Sequence, residues 1–287
     1  MLRRLLTRIG AVIITLLMGT LISGTLVRMA PGFDSDENKL DSRLSAETVA
    51  ALNADKQSQR NLAVFYLTYF RRALGGDFGN SSALGRPVRE LIGERLPQTL
   101  RTCGLGIVAG CMLGFFLAFA TATFRSAIPG LLTGAAAGML LCIPAAIIAL
   151  ATVYTNAPAG LAIAAIIFPK VYRYARNLVG RVYEMPHVLT AVAKGVGPIR
   201  LLLWHVIPVC ANQLAAVLGI AATLALSAAI PIEALCGVPG IGQLAWQSAL
   251  ARDLPVLVTL TALVAAITIL CNSFADMLRS DAREVQA

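Results

Sequence analysis

Charged side chains are scarce in this chain of 287 residues, since Asp, Glu, Lys and Arg together make up only 14% of it. An average soluble domain has about 25% charged residues. Hydrophobic residues make up 57%, and the mean hydropathy is +0.74. So few polar side chains could not cover the surface of a water-soluble globule, and the same composition excludes a disordered chain. The class that remains is an all-α polytopic membrane protein.

Acidic residues are fewer than basic ones, 15 against 24, which gives a formal net charge of +9. In a soluble protein this excess would suggest a nucleic-acid partner. In a membrane protein, Lys and Arg instead mark the cytoplasmic loops. We therefore expect contact with membrane lipid and no nucleic acid.

The sequence patterns of several enzyme and transporter classes are also missing. The chain has no G-x-x-x-x-G-K-[ST] phosphate loop, no H-E-x-x-H and no G-x-S-x-G. Its six cysteines form no C-x-x-C pair, so we expect neither a metal site nor a disulfide framework. No carboxylate lies inside the apolar runs, which disfavours a proton-driven transporter. The sequence predicts no catalytic residue and no cofactor.

Uncharged runs predict six membrane-spanning helices, because about 20 apolar residues cross the hydrocarbon core of a bilayer. The run from Ser126 to Pro169 is too long for one span, and its turn is predicted at Thr155–Pro158. Pro208 is expected to separate a short cytoplasmic piece from the fifth span. The predicted spans cover residues 9–27, 102–124, 131–153, 158 onwards, 210–230 and 254–275.

Six spans place both termini on one side, and the basic residues of the short loops place that side in the cytoplasm. Two helices are expected outside, at about 46–54 and 57–74. A short cytoplasmic helix from Val188 to Lys194 is expected to end at Gly195. The predicted organisation is an N-terminal transmembrane helix at 1–28, an extracytoplasmic helical segment at 29–101 and a five-helix transmembrane core at 102–287. A cytoplasmic loop at 170–200 lies between the fourth and fifth of the six spans.

Several short motifs follow one another in a characteristic order. They are Arg28–Gly32, Gly76–Ser81, Arg95–Leu100, Thr190–Gly195 with His205 and Pro208 behind it, Glu233, Pro239–Gly242, Arg252–Pro255, and Asn272 with Asp276. Together they resemble the inner-membrane permease subunits of ABC importers, specifically the dipeptide/oligopeptide/nickel permease family. One departure is Leu189, which stands where the general loop of such permeases has an acid six residues before the glycine.

The resemblance implies a subunit that forms half of the translocation path of an ATP-driven importer in the bacterial inner membrane. The implied partners are a second homologous permease, two cytoplasmic ATPases and an extracytoplasmic substrate-binding protein. The implied substrate is a peptide or a related small solute such as nickel. The implied ATPase-coupling residues are Thr190, Ala191, Ala193, Lys194, Gly195 and Gly197. The implied binding-protein-facing loop contains Glu233, Pro239, Gly240, Gly242, Arg252 and Asp253.

Two other interpretations stay open on the sequence alone. One is a secondary transporter or channel that works without an ATPase, and transport that fails without a separate ATPase would exclude it. The other is a membrane scaffold or enzyme. The spans contain no nucleophile next to a base, which argues against an enzyme.

Overall fold

The structure is a computed structural model. It describes residues 75–123 and 127–284, but not the side chains of residues 127–129, 274 and 276–284. Before residue 75 it describes only positions 10, 14, 18, 19, 21, 22, 25, 26, 69 and 71–73, all of them helical. The predicted helix at 46–54, and most of the predicted first span and of the helix at 57–74, therefore lie outside the described residues.

The described part of the chain is helical and contains no strand, apart from one isolated antiparallel bridge between Asn80 and Pro87. A five-residue π-helical turn, Leu202–Val206, joins two of the helices. The helices are α1 (Val88–Thr123), α2 (Ala127–Cys142), α3 (Ala145–Tyr154), α4 (Ala159–Tyr183), α5 (Pro186–Ala193), α6 (Pro198–Leu201), α7 (Ile207–Leu235), α8 (Ile241–Leu250) and α9 (Leu254–Glu284).

Three stretches of described helix are long and apolar enough to cross a membrane: Val88–Thr123, Pro198–Leu235 and Leu254–Ser273. A fourth crossing is obtained if α2 and α3, which are bent against each other, count as one span. The predicted class, an all-α protein with several membrane spans, is confirmed. The number six stays a prediction, because α4 is not among these helices and the first span is described at only a few positions.

The predicted third span is not one helix. A bend of 99° separates α2 from α3 at Ile143 and Pro144. Proline has no N–H to donate and disfavours helical geometry at the residue before it, so the chain ends one helix and starts another here. The predicted turn at Thr155–Pro158 is confirmed, since α3 ends at Tyr154 and α4 begins at Ala159.

Pro208 does not separate two pieces, which corrects the prediction. The helix from Pro198 to Leu235 is continuous and passes through the π-helical turn. A proline ring inside a helix clashes with the carbonyl four residues earlier, which is that of Trp204. Trp204 lies within the wide turn, so the helix accommodates Pro208 by widening instead of ending.

The chain forms two compact units, residues 1–94 with 245–266 and residues 95–244 with 267–287. In the larger unit α1 packs closely against α4 through glycines spaced one turn apart. A Cβ atom on Gly106 would lie 2.5 Å from Cγ2 of Ile163, and one on Gly110 would lie 3.0 Å from the carbonyl oxygen of Ala164. Small residues let two membrane helices approach until their backbones nearly touch. These glycines therefore set the separation of the two helices.

Candidate functional site

The short helix predicted in the basic loop is present as α5, Pro186–Ala193. Pro186 occupies its first turn, where no N–H is needed. At the other end Gly195 has φ +78°, its N–H bonds to the carbonyl of Val192 at 2.9 Å, and Val196 bonds to Ala191 at 3.2 Å. This hydrogen-bond pair is the Schellman motif, which requires a left-handed residue where Gly195 stands. The loop is a defined helix with a fixed end.

The predicted coupling residues lie mainly on the surface of this segment. Ala191 is buried, and it holds α5 against the rest of its unit. The hydroxyl of Thr190 donates to the carbonyl of Pro186 at 2.8 Å within the helix. The exposed members of the predicted set are Thr190, Ala193, Lys194, Gly195 and Gly197.

Sequence reasoning missed two apolar residues of α5. Leu189 is 50% exposed and Val192 is 47% exposed. Residues three and four apart share one side of a helix, so these two and Ala193 form one exposed apolar face. The spacing could have indicated it, because apolar residues at i, i+3 and i+4 are unusual on the outside of a basic loop. An apolar face on a short exposed helix is a surface suited to a protein partner.

Glu233, in the last turn of α7, is fully buried. Its Oε2 accepts hydrogen bonds from the Thr99 hydroxyl at 3.1 Å and from the N–H of Gly242 at 2.7 Å. The Thr99 oxygen in turn accepts the N–H of Ile241 at 2.7 Å. The first N–H groups of a helix have no partner within the helix. Thr99 and Glu233 supply those partners at the start of α8.

Two glycines of the predicted loop are needed by this arrangement. A Cβ atom on Gly240 would fall on the carboxylate of Glu233 and would lie 2.5 Å from the Thr99 hydroxyl oxygen. A Cβ on Gly242 would lie 2.6 Å from the carbonyl oxygen of Ala229. Both positions are buried, whereas Pro239 is exposed. The turn before α8 thus has an exposed tip, while its glutamate and two glycines are buried.

Asp253 belongs to a second cluster and is also buried. Its Oδ2 accepts the Ser81 hydroxyl and, at 3.2 Å, the N–H of Ala83. Its Oδ1 lies 3.5 Å from the N–H of Val256, in the first turn of α9. An aspartate directly before a helix satisfies the free N–H groups there. Arg252, the preceding residue, takes φ +55° and is half-buried.

Three polar residues therefore act here without having been predicted as site residues: Ser81, Thr99 and Arg95. The Arg95 guanidinium donates to Oε1 of Gln243 at 2.8 Å. Each of the three lies in a motif that the sequence shows, at Gly76–Ser81 or Arg95–Leu100. For Arg95 and Thr99 the signal is a guanidinium or hydroxyl placed shortly before the apolar run at 102–124, where it must find a partner. The sequence near Ser81 carries no such signal.

The chemistry of these clusters is structural. Both carboxylates accept hydrogen bonds from their own chain, and the described residues contain no group of three or more His, Cys, Asp or Glu side chains that could bind a metal. The predicted residues thus divide into an exposed segment at α5 and two buried clusters that fix the turns before α8 and α9.

Comparison with known proteins assigns the chain to one class. Residues 104–280 match the family described as "Binding-protein-dependent transport system inner membrane component". The chain is 27% identical to the oligopeptide transport system permease protein OppB of Escherichia coli strain K12, over 97% of each chain. It is 25% identical to OppB of Haemophilus influenzae, again over 97% of each. It is also 25% identical to the "Probable peptide ABC transporter permease protein y4tP" of Sinorhizobium fredii, over 95% of each chain.

Proposed function

The chain belongs to the family of inner membrane components of binding-protein-dependent transport systems, and from this premise we propose that it moves peptides across the membrane. It is a permease subunit of an ABC importer, a multi-pass inner-membrane protein whose ATP hydrolysis takes place in separate subunits. The peptide substrate is supported by the names of the relatives that match along nearly their whole length.

The proposed assembly has two permeases, this chain and a second homologous one, each forming half of the translocation path. Two cytoplasmic ATPases bind from one side and a substrate-binding protein docks from the other. Six spans place both termini in the cytoplasm, with the segment 29–101 outside. The turns before α8 and α9 face the binding protein, with the exposed Pro239 at the tip of the first turn.

The observation that carries the proposal is the exposed apolar face of α5. Leu189, Val192 and Ala193 would lie in water if α5 had no partner, at a cost of about 25 cal/mol for each Å² of apolar surface left exposed. A groove on an ATPase would cover them. The fixed end at Gly195 lets α5 move as one rigid piece, so that movement of the ATPase is transmitted to the permease.

The test is ATP-driven uptake in proteoliposomes that contain the assembled transporter. Labelled tripeptide should accumulate only when the ATPases and the binding protein are present, and Ni²⁺ in excess should not compete. Leu189→Asp with Val192→Asp should abolish uptake and release the ATPases, because each places an unpaired charge in an apolar groove. His187→Asp, an exposed position on the opposite side of α5, is the matched control and should transport normally. Uptake without the ATPases would exclude the proposal in favour of a secondary transporter.

A further inference from the structure

The second half of α4 carries a basic face, on which Arg173 and Arg181 are exposed and Lys170 is half-buried. Lys170, Arg173 and Arg181 fall within about 80° of one another on a helix with 3.6 residues per turn. The opposite side of the same helix is fully buried, at Tyr172 and Val179 among others. The first half of α4 is apolar and lies in the core, through Ile163 and Ile167. The helix therefore leaves the apolar interior and becomes basic on one side as it does so.

This face has no acidic counterpart on its own helix. The stretch from Lys170 to Arg181 contains four basic residues, with Arg173 and Arg176 between, and no Asp or Glu. None of the four pairs with a carboxylate of the described residues; Arg181, for instance, donates to the carbonyl of Asn177. Four positive charges thus lie within about 16 Å along the helix. A cluster of this kind at a membrane surface attracts anionic groups.

Arg176 is held in a defined position at the side of this face. Its Nη1 donates to the carbonyl of Gly130 in α2 at 3.0 Å, and its guanidinium lies 6.0 Å from the centre of the Tyr172 ring. The Tyr172 hydroxyl lies 2.6 Å from the Thr133 hydroxyl, which fixes the ring against α2. A Cβ on Gly130 would lie 2.8 Å from Nη2, so this glycine leaves room for the guanidinium. One bond to a carbonyl leaves most of the five N–H donors of an arginine for another acceptor.

Exposed apolar side chains lie on the same turn of α2 as the carbonyl that accepts this guanidinium. Leu131 and Leu132 follow Gly130 in α2 and are 73% and 65% exposed. α2 contains no charged residue from Ala127 to Cys142. Such a helix surface is stable where hydrocarbon covers it. A positive group with free donors and an uncharged apolar helix therefore meet at the Arg176–Gly130 contact.

We propose that α2 and the second half of α4 bind an anionic phospholipid, whose phosphate lies against Arg176 and the basic face and whose acyl chains cover Leu131 and Leu132. A phospholipid carries both chemistries in one molecule, and it always surrounds an inner-membrane protein. A soluble ATPase would cover the basic face but would leave the two leucines exposed. An inorganic phosphate would bind the arginine and cover neither leucine.

The experiment measures lipid selectivity of the assembled transporter in nanodiscs. Phosphatidylcholine discs and discs with one quarter phosphatidylglycerol are compared, and the lipid bound after exchange into detergent is counted by native mass spectrometry. The wild type should retain phosphatidylglycerol over phosphatidylcholine. Arg176→Gln should lower this preference about five-fold, and Arg173→Gln with Arg181→Gln should lower it about 25-fold. Arg176→Lys should keep most of it, and Arg200→Gln, an exposed basic residue of α6, should leave it unchanged.

Each alternative occupant gives its own result, and each would overturn the proposal. Equal retention of the two lipids, or retention that the α4 variants leave unaltered, would show that no anionic lipid binds here. Displacement of phosphatidylglycerol by 10 mM inorganic phosphate would show that the site takes a free anion. Loss of the ATPases from the α4 variants with unchanged lipid retention would assign the basic face to the ATPases.

Discussion

Thr99 and Glu233 lie 134 residues apart in the chain and are joined by a hydrogen bond of 3.1 Å. The threonine hydroxyl donates to the carboxylate and accepts the N–H of Ile241, so a single oxygen connects α1, α7 and the start of α8. Removing it would leave the buried N–H of Ile241 without its partner, and the Glu233 carboxylate would lose one of the two hydrogen bonds described above. A buried group left in this way costs about 1–3 kcal/mol.

Thr99→Val should therefore lower the thermal stability of the purified complex, since valine has the shape of threonine but neither donates nor accepts. Thr99→Ser keeps the hydroxyl and should lie close to the wild type. Apparent melting temperature in detergent, followed by size-exclusion chromatography after heating, compares the two. Equal melting temperatures for the valine and serine variants would contradict the role given to this hydroxyl.

Ser81 and Asp253 should behave as a coupled pair. Asp253→Ala removes the partners of Ser81, of Ala83 and of the first turn of α9, and should cost about 1–2 kcal/mol. Ser81→Ala should cost less. The double variant should lose less stability than the two single variants lose together, because the effects of substitutions within one hydrogen-bond network do not add. A double-mutant cycle on stability measures this, and strict additivity would show that the two side chains act separately.

Gly110→Ala should separate α1 from α4. The new methyl group would lie 3.0 Å from the carbonyl oxygen of Ala164, which is backbone and cannot turn aside. Overpacking of this kind costs about 1–3 kcal/mol. Gly104→Ala, in the same helix, meets no atom within 4 Å and should be neutral or slightly stabilising. Equal stability of the two variants in the heating assay would show that the close approach of α1 and α4 at Gly110 does not contribute to stability.

Gly195→Val should give a protein of normal abundance that associates weakly with its ATPases and does not transport. The residue has open space around it but φ +78°, which costs a β-branched residue about 1–3 kcal/mol. Gly197 is equally exposed and open, and its φ is −63°, so Gly197→Val isolates the conformational effect. Gly195→Asn should retain part of the transport, since asparagine tolerates φ > 0. Full transport by Gly195→Val would mean that α5 is not the coupling site.

Cysteine labelling checks which side each loop faces. In a background without the six native cysteines, Gln247→Cys should react with an impermeant thiol reagent added to intact cells. Thr190→Cys should react only after permeabilisation. Both positions are exposed, so a missing reaction reports the membrane side and not burial. Labelling of Thr190→Cys in intact cells would overturn the proposed topology.

Local patterns predicted those parts of the fold that depend on local geometry. The turn at Thr155–Pro158 and the helix ended by Gly195 follow from residues that are neighbours in the chain. The effect of each proline on its helix was harder to predict. Helices continue through Pro97, Pro169 and Pro231, whereas the chain breaks between two helices at Pro144. Whether a helix bends or stops at proline depends on the packing that holds its two halves, which the local sequence does not contain.

In the candidate site, too, the features set by neighbouring residues could be predicted, whereas those set by tertiary contacts could not. α5 and its left-handed glycine could be placed from sequence, as could the motifs around Glu233 and Asp253. What could not be derived is that both carboxylates point inward, since their partners Thr99 and Ser81 come from distant parts of the chain. A carboxylate beside a proline–glycine turn is normally exposed, and only the tertiary contacts bury it.

The π-helical turn at Leu202–Val206 has an evolutionary consequence. A wide turn holds one residue more than an α-helical turn, so it is equivalent to a single-residue insertion in an otherwise regular helix. Loss of that residue would rotate α6, which precedes the turn, by about 100° relative to α7. The buried Leu201 would then leave the interior unless a compensating gain occurred nearby. Among homologues, single-residue gaps between positions 201 and 207 should therefore be inherited together with changes in α5 and α6.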